Sequence, residues 1–359
     1  MQIKTKVIKI KQSAEELHVG LGSEEMRKEN SWTLNRREFI KDSFLGLASL
    51  PGLRFEPLAG TQRGRKARVV LYKTQDRKKG VHEVLKHLSF SPVKGKKILI
   101  KPNFNSADPT PASTHNDTLS QLIQEIKERG AAGITIGERS GPPLTKNVLQ
   151  AKGIFDLAQQ LNFKIINFEE LEEKDWVHFN PKDLHWQNGF YAARPVVDAE
   201  YVVSTCCLKT HQYGGVFTMS LKLAVGLTPK RLMKELHGSA QNQRKMIAEI
   251  NLAYKPQFIV LDGIEAFVDG GPSVGTRKQA NVFLAGKDRV AIDAVGVAVL
   301  KELGSNEAIM GRKIFEQEQI KRAVELGLGI SRPSQIELIT PDEPSKEYGD
   351  KIKAILAQG

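Results

Sequence analysis

Residues 97–137, KILIKPNFNSADPTPASTHNDTLSQLIQEIKERGAAGITIG, hold the pattern that decides the fold. An apolar run at 97–101 precedes an amphipathic stretch at 119–127, for which Asp117 is the predicted N-cap, and a second apolar run follows at 134–137. Short apolar runs bounded by turn residues are typical of buried strands, whereas apolar residues at every third or fourth position indicate a helix. The stretch therefore predicts a strand, a helix and a second strand that pairs in parallel with the first.

The same alternation continues on both sides of this unit. Further strands are predicted at 67–72, 164–168, 201–205, 258–261, 281–284 and 336–339. Further helices are predicted at 81–88, 147–161, 218–225, 243–252, 288–303 and from 346 onward. We expect an α/β fold in three layers, with a mainly parallel or mixed sheet and helices on both faces. Residues 66–359 are predicted to form a single domain, in which 169–195 lack a period and indicate an insertion or a small antiparallel excursion.

The charge distribution argues against nucleic acid as a partner. The chain of 359 residues has a net charge of +12. Residues 1–68 hold 14 Lys or Arg and 8 Asp or Glu. Half of the net positive charge therefore lies in this N-terminal part of the chain. No run of basic residues is interleaved with aromatic residues, as a nucleic-acid interface would need.

The chain has two cysteines, Cys206 and Cys207, which are adjacent. Adjacent cysteines seldom form a disulfide with each other, because a disulfide requires Cα atoms ~4.4–6.8 Å apart. Two thiols also cannot supply the four ligands of an ordinary iron–sulfur cluster. We therefore expect no self-contained iron–sulfur cluster, and the cofactor stays unknown, with a metal as one hypothesis.

The N-terminal segment resembles a twin-arginine export signal. Residues 35–41, NRREFIK, contain the paired arginines followed by Phe, an aliphatic residue and Lys. The weakly apolar stretch at 43–53 is shorter than the ~20 residues of a membrane span and is typical of a signal peptide. Residues 1–60 are thus predicted to be an export signal and flexible leader, which the twin-arginine machinery would carry to the periplasm. The alternative is an amphipathic surface helix at 36–47.

Polar residues follow the first two strands of the parallel unit. Lys101 and Asn103 come at the end of one strand, and Glu138 at the end of the other. Ligands of parallel α/β sheets bind beyond the carboxyl ends of the strands. Lys101 and Asn103 are therefore candidate ligands of an anion and Glu138 a candidate catalytic carboxylate. The alternatives are a solvated loop and a surface glutamate paired with Arg139.

The richest group of candidate residues follows the predicted strand at 201–205. It contains Lys209, Thr210 and His211, and then, after a glycine pair, Thr218 and Lys222. The last two are spaced as i and i+4, which would place both on one face of a helix. These side chains predict a site for a phosphate or carboxylate, and a purely structural role is the alternative.

Further candidate site residues occur in the second half of the predicted domain. Asp262 follows an apolar run, and Gly270 and Gly271 would let the backbone approach a ligand closely. The alternative is that the glycines only form a tight turn. Asp293 is a carboxylate in an apolar helix and needs a partner, so we expect it to cap or pair with one of these loops. His115 or His237 joining Asp262 in a metal site is a further hypothesis.

In this order the motifs resemble the bacterial and archaeal family catalogued as domain of unknown function 362, over residues 68–302. The residues that carry the resemblance are Lys101-Pro102-Asn103, Gly137-Glu138, Leu208-Lys209-Thr210-His211, Thr218, Leu221-Lys222, Gly226, Asp262-Gly263, Gly270-Gly271-Pro272, Asn281, Asp288, Ala291, Asp293 and Ala294. The resemblance implies no established activity. Some members carry ferredoxin-like modules, so an iron–sulfur role here would need a ferredoxin-like partner.

We therefore expect an exported enzyme that acts on a small anionic substrate or cofactor, with a redox or metal link. Its predicted catalytic residues are His211 as general acid and base, Asp262 as its orienting group or a metal ligand, and Glu138. Its predicted substrate-binding residues are Lys101, Asn103, Lys209, Thr210, Thr218, Lys222, Gly270, Gly271, Asn281 and Asp293. The alternatives are a non-catalytic binding or delivery protein and a partner of an iron–sulfur protein.

Overall fold

The computed structural model describes residues 66–358. The predicted leader at 1–60 and the arginine pair of the predicted export signal lie outside the described residues. Within residues 66–358, no helix is both long and apolar enough to cross a membrane.

The strands of the described chain form one large sheet and one small one. Their bounds are β1 Ala67–Lys73, β2 Lys97–Lys101, β3 Gly133–Glu138, β4 Lys164–Asn167, β5 Trp176–Phe179, β6 Phe190–Ala193, β7 Tyr201–His211, β8 Val216–Thr218, β9 Phe258–Gly270, β10 Gly275–Gly286 and β11 Ile336–Ile339.

The helices of the described chain alternate with these strands. Their bounds are α1 Arg77–His87, α2 Asn116–Glu128, α3 Thr145–Ala151, α4 Ile154–Leu161, α5 Arg194–Val197, α6 Ser220–Leu223, α7 Met233–Gly238, α8 Gln243–Ile250, α9 Arg289–Glu302, α10 Glu307–Met310, α11 Glu318–Glu325 and α12 Glu343–Ala357. Short 3-10 turns join several of them.

The large sheet is mixed. Its strand order is β11-β1-β10-β9-β7-β2-β3-β4, and β8 pairs with β7. Strands β9, β7, β2, β3 and β4 are mutually parallel, as is the pair β1–β11, whereas β10 runs antiparallel to β1 and β9. The carboxyl ends of β2, β3, β7 and β9 therefore meet at one edge of the sheet.

Apolar residues cover both faces of this sheet. One core cluster packs helix α9 against residues such as Leu208 and Leu284, and a second packs α1 and α2 against residues such as Val203 and Phe283. Helix α9 is buried almost throughout because its residues are nearly all apolar, and its N-cap Asp288 accepts from the backbone of Ala291 at 3.0 Å. The fold is thus an α/β sheet with helices on both faces, as the sequence predicts.

Residues 169–195 form 3-10 turns and the antiparallel pair β5–β6. Side chains of this pair, among them Trp176 and Phe190, form a third core cluster with residues of α8 such as Ile247. The segment extends the core instead of leaving an unpacked loop.

Several predicted boundaries of strands are wrong. Strand β7 continues past residue 205 to His211, and β9 continues past 261 to Gly270, because each supplies hydrogen-bonding partners to the other along these polar stretches. Thr218 lies in β8 and not in a helix, since it pairs with Lys209. Sheet pairing overrides local propensity at these places. The predicted N-cap of α2 is also wrong, because His115 and not Asp117 caps the helix, with its side chain accepting from the backbone N–H of Asp117.

Candidate functional site

A cavity of about 960 Å³ opens at the carboxyl edge of the parallel strands. Lys101 of β2, Glu138 of β3 and His211 of β7 line it, together with the turn that follows β9. The connection from β2 leads to β3 on one side, whereas β7 lies on the other side of β2. A reversal of this kind leaves a crevice between strand ends, which is where α/β proteins bind ligands.

Lys101 and Glu138 form a buried ion pair at the base of this cavity. The Lys101 Nζ atom donates to Glu138 Oε1 at 2.5 Å and to the carbonyl oxygen of Pro102 at 2.6 Å. Glu138 also accepts from the backbone N–H groups of Phe104 at 2.7 Å and Arg139 at 2.8 Å. Burial lowers the pKa of Lys101, and the charge of Glu138 opposes this shift. The pair is fully satisfied by the chain itself.

Lys209 is completely buried and has no carboxylate partner. Its ammonium donates to the carbonyl oxygen of Ala112 and, at 3.2 Å, to that of Pro272. Burial lowers its pKa to about 8. Carbonyl dipoles hold the ammonium group in place but do not neutralise its charge, so it can still attract an anion.

Lys222 lines the cavity from α6 without any hydrogen-bonding or ion-pair partner among residues 66–358. Burial, followed by the charges of Lys209 and Arg139, lowers its pKa to about 7. The charges that surround it are therefore of its own sign, which is the expected environment where a negatively charged ligand belongs.

His211 lies beside Lys222. Its Nδ1 atom accepts from the backbone N–H of Gly215 at 3.3 Å, which assigns the proton of the neutral ring to Nε2. Burial, with the charges of Lys222 and Lys209, holds the pKa of His211 far below its usual range. The neutral ring is favoured because the two neighbouring ammonium groups repel the imidazolium form.

Arg139 is a cation of the cavity that the sequence analysis treated only as a surface partner of Glu138. It is 3% exposed and donates to the carbonyl oxygens of Thr228 at 2.8 Å, Ser140 at 2.9 Å and Val225. Burial lowers its pKa to about 10. A buried arginine held by carbonyls shows no distinctive local sequence pattern, so only the folded chain could reveal it.

Neutral polar groups of the cavity are left without partners. The side-chain atoms Asn103 Nδ2, Thr218 Oγ1 and Gln243 Nε2 are buried and make no hydrogen bond within the described chain. Buried polar groups are nearly always hydrogen-bonded, so unpaired ones beside a cavity are available to a ligand. Asn103 and Thr218 were predicted from sequence, whereas Gln243 was missed.

Gly270 and Gly271 do not line the cavity, but they shape the turn whose next residues do. Gly270 and Gly271 have φ values of +74° and +77°, which favour glycine. A Cβ atom on Gly271 would lie 2.1 Å from the carbonyl oxygen of Thr210. The glycines therefore allow the turn after β9 to pack on β7, and Pro272, Ser273 and Val274 of that turn line the cavity.

Besides Gly270 and Gly271, four other predicted site residues lie outside the cavity lining. Asp262 is buried and accepts from Arg77 Nε at 3.0 Å and Thr118 Oγ1 at 2.6 Å. Asp293 accepts from the backbone of α6 and therefore acts through the position of Lys222. The remaining two, Thr210 and Asn281, do not line the cavity either. The roles of these four residues in ligand binding or catalysis remain predictions, and their position outside the cavity lining does not favour them.

The side chains of residues 66–358 offer little support for a metal site or for a reactive cysteine. Among residues 66–358 no group of three or more His, Cys, Asp or Glu side chains is arranged to hold a metal ion. His237 lines the cavity, but Asp262 does not. Burial raises the pKa of Cys207 to about 11 and that of Cys206 still further above its usual value. Both thiols are therefore protonated and unreactive at neutral pH.

A family model described as "Domain of unknown function (DUF362)" matches residues 98–298. The chain belongs to this family. The matched range of the DUF362 chain contains every residue of the cavity lining and more than half of the whole sequence.

One curated relative of this DUF362 protein is the Thylakoid-associated protein sll1697 of Synechocystis, which is 24% identical over 213 residues. The match covers 58% of this chain and 64% of the relative, so it spans less than two thirds of the relative's length. Among solved structures, the lactate racemase apoprotein of Thermoanaerobacterium thermosaccharolyticum matches with a TM-score of 0.43 and 13% identity. That match covers 79% of this chain and 85% of the racemase, and it carries no conclusion about function.

Proposed function

We propose that this protein binds an organic anion of cofactor size in the cavity and acts on it by moving a proton. The observation that carries the proposal is the unpaired ammonium of Lys222 beside Lys209 and Arg139, whose own hydrogen bonds go to backbone carbonyls. Burying like charges together is costly, and a bound carboxylate or phosphate offsets that cost.

The size and lining of the cavity support an organic ligand over a simple inorganic ion. About 960 Å³ lies at the upper end of the range typical of sites for cofactors and drug-sized molecules. Leu223, Val225, Met233 and Val274 contribute apolar surface around the cations. Cations beside apolar side chains suit a molecule with an anionic end and a less polar body.

The proton-transfer part of the proposal rests on His211 and Lys222. The neutral imidazole presents a protonated Nε2, and the Lys222 amine exchanges protons near neutral pH. General acid and base groups work best when their pKa lies near the working pH. The pKa of Lys222 meets this condition, and a bound anion would raise the pKa of His211 toward it.

Native mass spectrometry of the purified full chain, followed by calorimetric titration with inorganic pyrophosphate and 2-oxoglutarate, tests the binding step. We expect Lys209→Met and Lys222→Met each to weaken binding by about tenfold or more, the effect of losing one charge-assisted contact. Lys353→Met is the matched control, because Lys353 is exposed on α12 and pairs only with Asp350. Unchanged binding in both cavity variants would refute the proposal.

A non-catalytic binding or delivery protein is the alternative use of the same cavity. His211→Gln separates the two, because it keeps a polar group of similar size and removes the titratable ring. An enzyme would retain the copurified ligand but no longer convert it in a single-turnover experiment. A delivery protein would hold and release the same unaltered ligand in both forms.

Export by the twin-arginine route is a separate proposal that the sequence alone supports. The motif at Arg36-Arg37 is its only basis. Fractionation of cells that make the full chain with Arg36→Lys and Arg37→Lys together tests it. The substituted protein should stay in the cytoplasm if the signal is real, and an unchanged distribution would contradict it.

A further inference from the structure

Lys222, which is half-buried, differs from Lys101, Lys209 and Arg139 in making no hydrogen bond or ion pair within residues 66–358. Lys101 donates to Glu138 and Pro102, and Lys209 and Arg139 donate to backbone carbonyls. Lys222 makes no such contact within residues 66–358. An ammonium group that exists only to attract an anion would do so equally well from a fixed position. A free amine has the mobility that a nucleophile needs.

The glycine at position 215 brings the side chains of Lys222 and His211 together. A Cβ atom on Gly215 would lie 2.8 Å from Lys222 Cε and 2.9 Å from His211 Nδ1. The absence of a side chain at Gly215 therefore lets both groups pack against the backbone and lie close to each other. The amine and the imidazole face the same small region of the cavity wall.

The neighbouring cations supply what a carbonyl substrate needs. Lys209 and Arg139 lie close enough to lower the pKa of Lys222, and both hydrogen-bond to backbone carbonyls instead of carboxylates. A carboxylate bound by them would place an adjacent carbonyl carbon near the Lys222 amine. Repulsion by neighbouring cations and burial are the usual means by which an enzyme keeps a lysine amine unprotonated for attack on a carbonyl.

We propose that Lys222 forms a covalent imine with the carbonyl group of a 2-oxo acid bound in this cavity. The proposal rests on the proposed function, because it names the class of anion that the same site would take.

The chemistry balances without any oxidant or reductant. The lone pair of the Lys222 nitrogen forms a bond to the carbonyl carbon and gives a carbinolamine. The carbinolamine then loses the former carbonyl oxygen as water, which carries away both hydrogens of the neutral amine. In this proposal His211, which neighbours Lys222, relays a proton from the nitrogen to the departing oxygen. The reaction leaves a carbon–nitrogen double bond, which protonation makes a strong electron acceptor.

Reductive trapping of the full chain tests the proposal. The protein is incubated with glyoxylate, pyruvate or 2-oxoglutarate and sodium cyanoborohydride, which reduces an imine to a stable secondary amine. Peptide mass spectrometry then locates the adduct, which for glyoxylate is a carboxymethyl group. We expect modification at Lys222 in preference to the exposed lysines, and loss of this label when inorganic pyrophosphate is added first.

Two variants accompany the wild-type protein. Lys222→Arg keeps the positive charge and removes the nucleophile, so we expect its cavity label to disappear while pyrophosphate still binds. Lys353→Arg should leave labelling at Lys222 unchanged. Pyrophosphate protection is measured on the wild-type protein, so the test does not depend on the folding of any variant.

The outcomes separate this proposal from the proposed function. If none of the three oxo acids labels Lys222 above the level of exposed lysines while pyrophosphate binds the wild-type protein, the imine is wrong and the anion site stands. If pyrophosphate also fails to bind, both proposals fall. Labelling at Lys222 that pyrophosphate does not prevent would also overturn the imine proposal, because the amine would then react outside an anion site.

Discussion

Lys101 and Glu138 form an ion pair with an N–O distance of 2.5 Å, although their side chains are only 1% and 2% exposed. They come from the ends of adjacent parallel strands, β2 and β3. Glu138 accepts two further backbone hydrogen bonds, so the local chain satisfies both charges. The pair lines the same cavity as Lys209 and Lys222, which form no ion pair with a carboxylate within residues 66–358.

Removing one member of this pair should strongly destabilise the fold. We expect Lys101→Met to lower the free energy of unfolding by about 3–5 kcal/mol, because it leaves the Glu138 carboxylate buried without its counter-charge. Urea unfolding monitored by circular dichroism measures the change. Asp350→Asn, which breaks an exposed pair on α12, is the control and should change stability by less than about 1 kcal/mol. Equal effects of the two variants would contradict the assignment of a buried pair.

Anion binding should take up protons and weaken as pH rises. Burial lowers the pKa of Lys222 to about 7 and that of Lys209 to about 8, and a bound anion would favour both charged forms. The affinity for pyrophosphate should therefore be highest below pH 7. Above the lowered values it should fall by about tenfold per pH unit for each proton taken up.

Calorimetry in buffers of different ionisation enthalpy counts these protons. The Lys222→Arg variant supplies the control, because its guanidinium stays protonated throughout the range. It should show less proton uptake than the wild-type protein at pH 8. Equal uptake by the two proteins would mean that Lys222 does not titrate on binding.

Asp262 should matter for stability and not for ligand binding. Its carboxylate accepts from Arg77 and Thr118 away from the cavity lining. We expect Asp262→Asn to lower the free energy of unfolding by about 2–3 kcal/mol, which is typical of hydrogen bonds to a charged group. Pyrophosphate affinity should stay near the wild-type value. A folded Asp262→Asn protein that no longer binds would instead support the site role predicted from sequence.

Replacing Asp293 should both destabilise the fold and shift Lys222 within the cavity. It accepts from the backbone N–H groups of Ser220 at 2.8 Å and Leu221 at 3.0 Å, and thereby holds the start of α6. We expect Asp293→Ala to lower the free energy of unfolding by about 1–3 kcal/mol and to weaken pyrophosphate binding, because two buried N–H groups lose their acceptor. Asp293→Asn retains one acceptor oxygen and should show a smaller loss.

The pH dependence of stability offers a second readout for Asp293. Burial raises its pKa from 3.8 in the unfolded chain to about 7 in the fold. The folded state thus binds the proton more tightly, so this group makes stability fall as pH rises between 3.8 and about 7. Asp293→Asn should remove that part of the slope. An unchanged slope in thermal unfolding would contradict the raised pKa.

The parts of the site that the sequence predicted lie at strand ends with clear local signals. Lys101 stands directly before Pro102, which cannot donate a hydrogen bond to a neighbouring strand, and the strand ends there as expected. The predicted carboxyl edge of the parallel strands is where the cavity opens, and Asn103, Lys209, His211, Thr218 and Lys222 line it.

The parts that were missed depend on contacts between distant segments. Asp262 was expected at a strand end, but β9 continues past it because β7 and β10 supply partners on both sides. Arg139 enters the site because the 3-10 segment after α6 presents carbonyls to it. No local pattern marks either event.

The sequence by itself determined the α/β alternation, the edge of the sheet at which the site lies and the supply of basic residues there. Periodicity and strand ends are local properties, so they can be read from neighbouring residues. The tertiary structure alone decided which lysine receives a carboxylate and which does not. Glu138 reaches Lys101 because β2 and β3 are adjacent, whereas no carboxylate within residues 66–358 pairs with Lys222. Charge compensation depends on side chains that meet only when distant segments pack together, and this is why the distinctive amine of the cavity could not be identified before the fold was known.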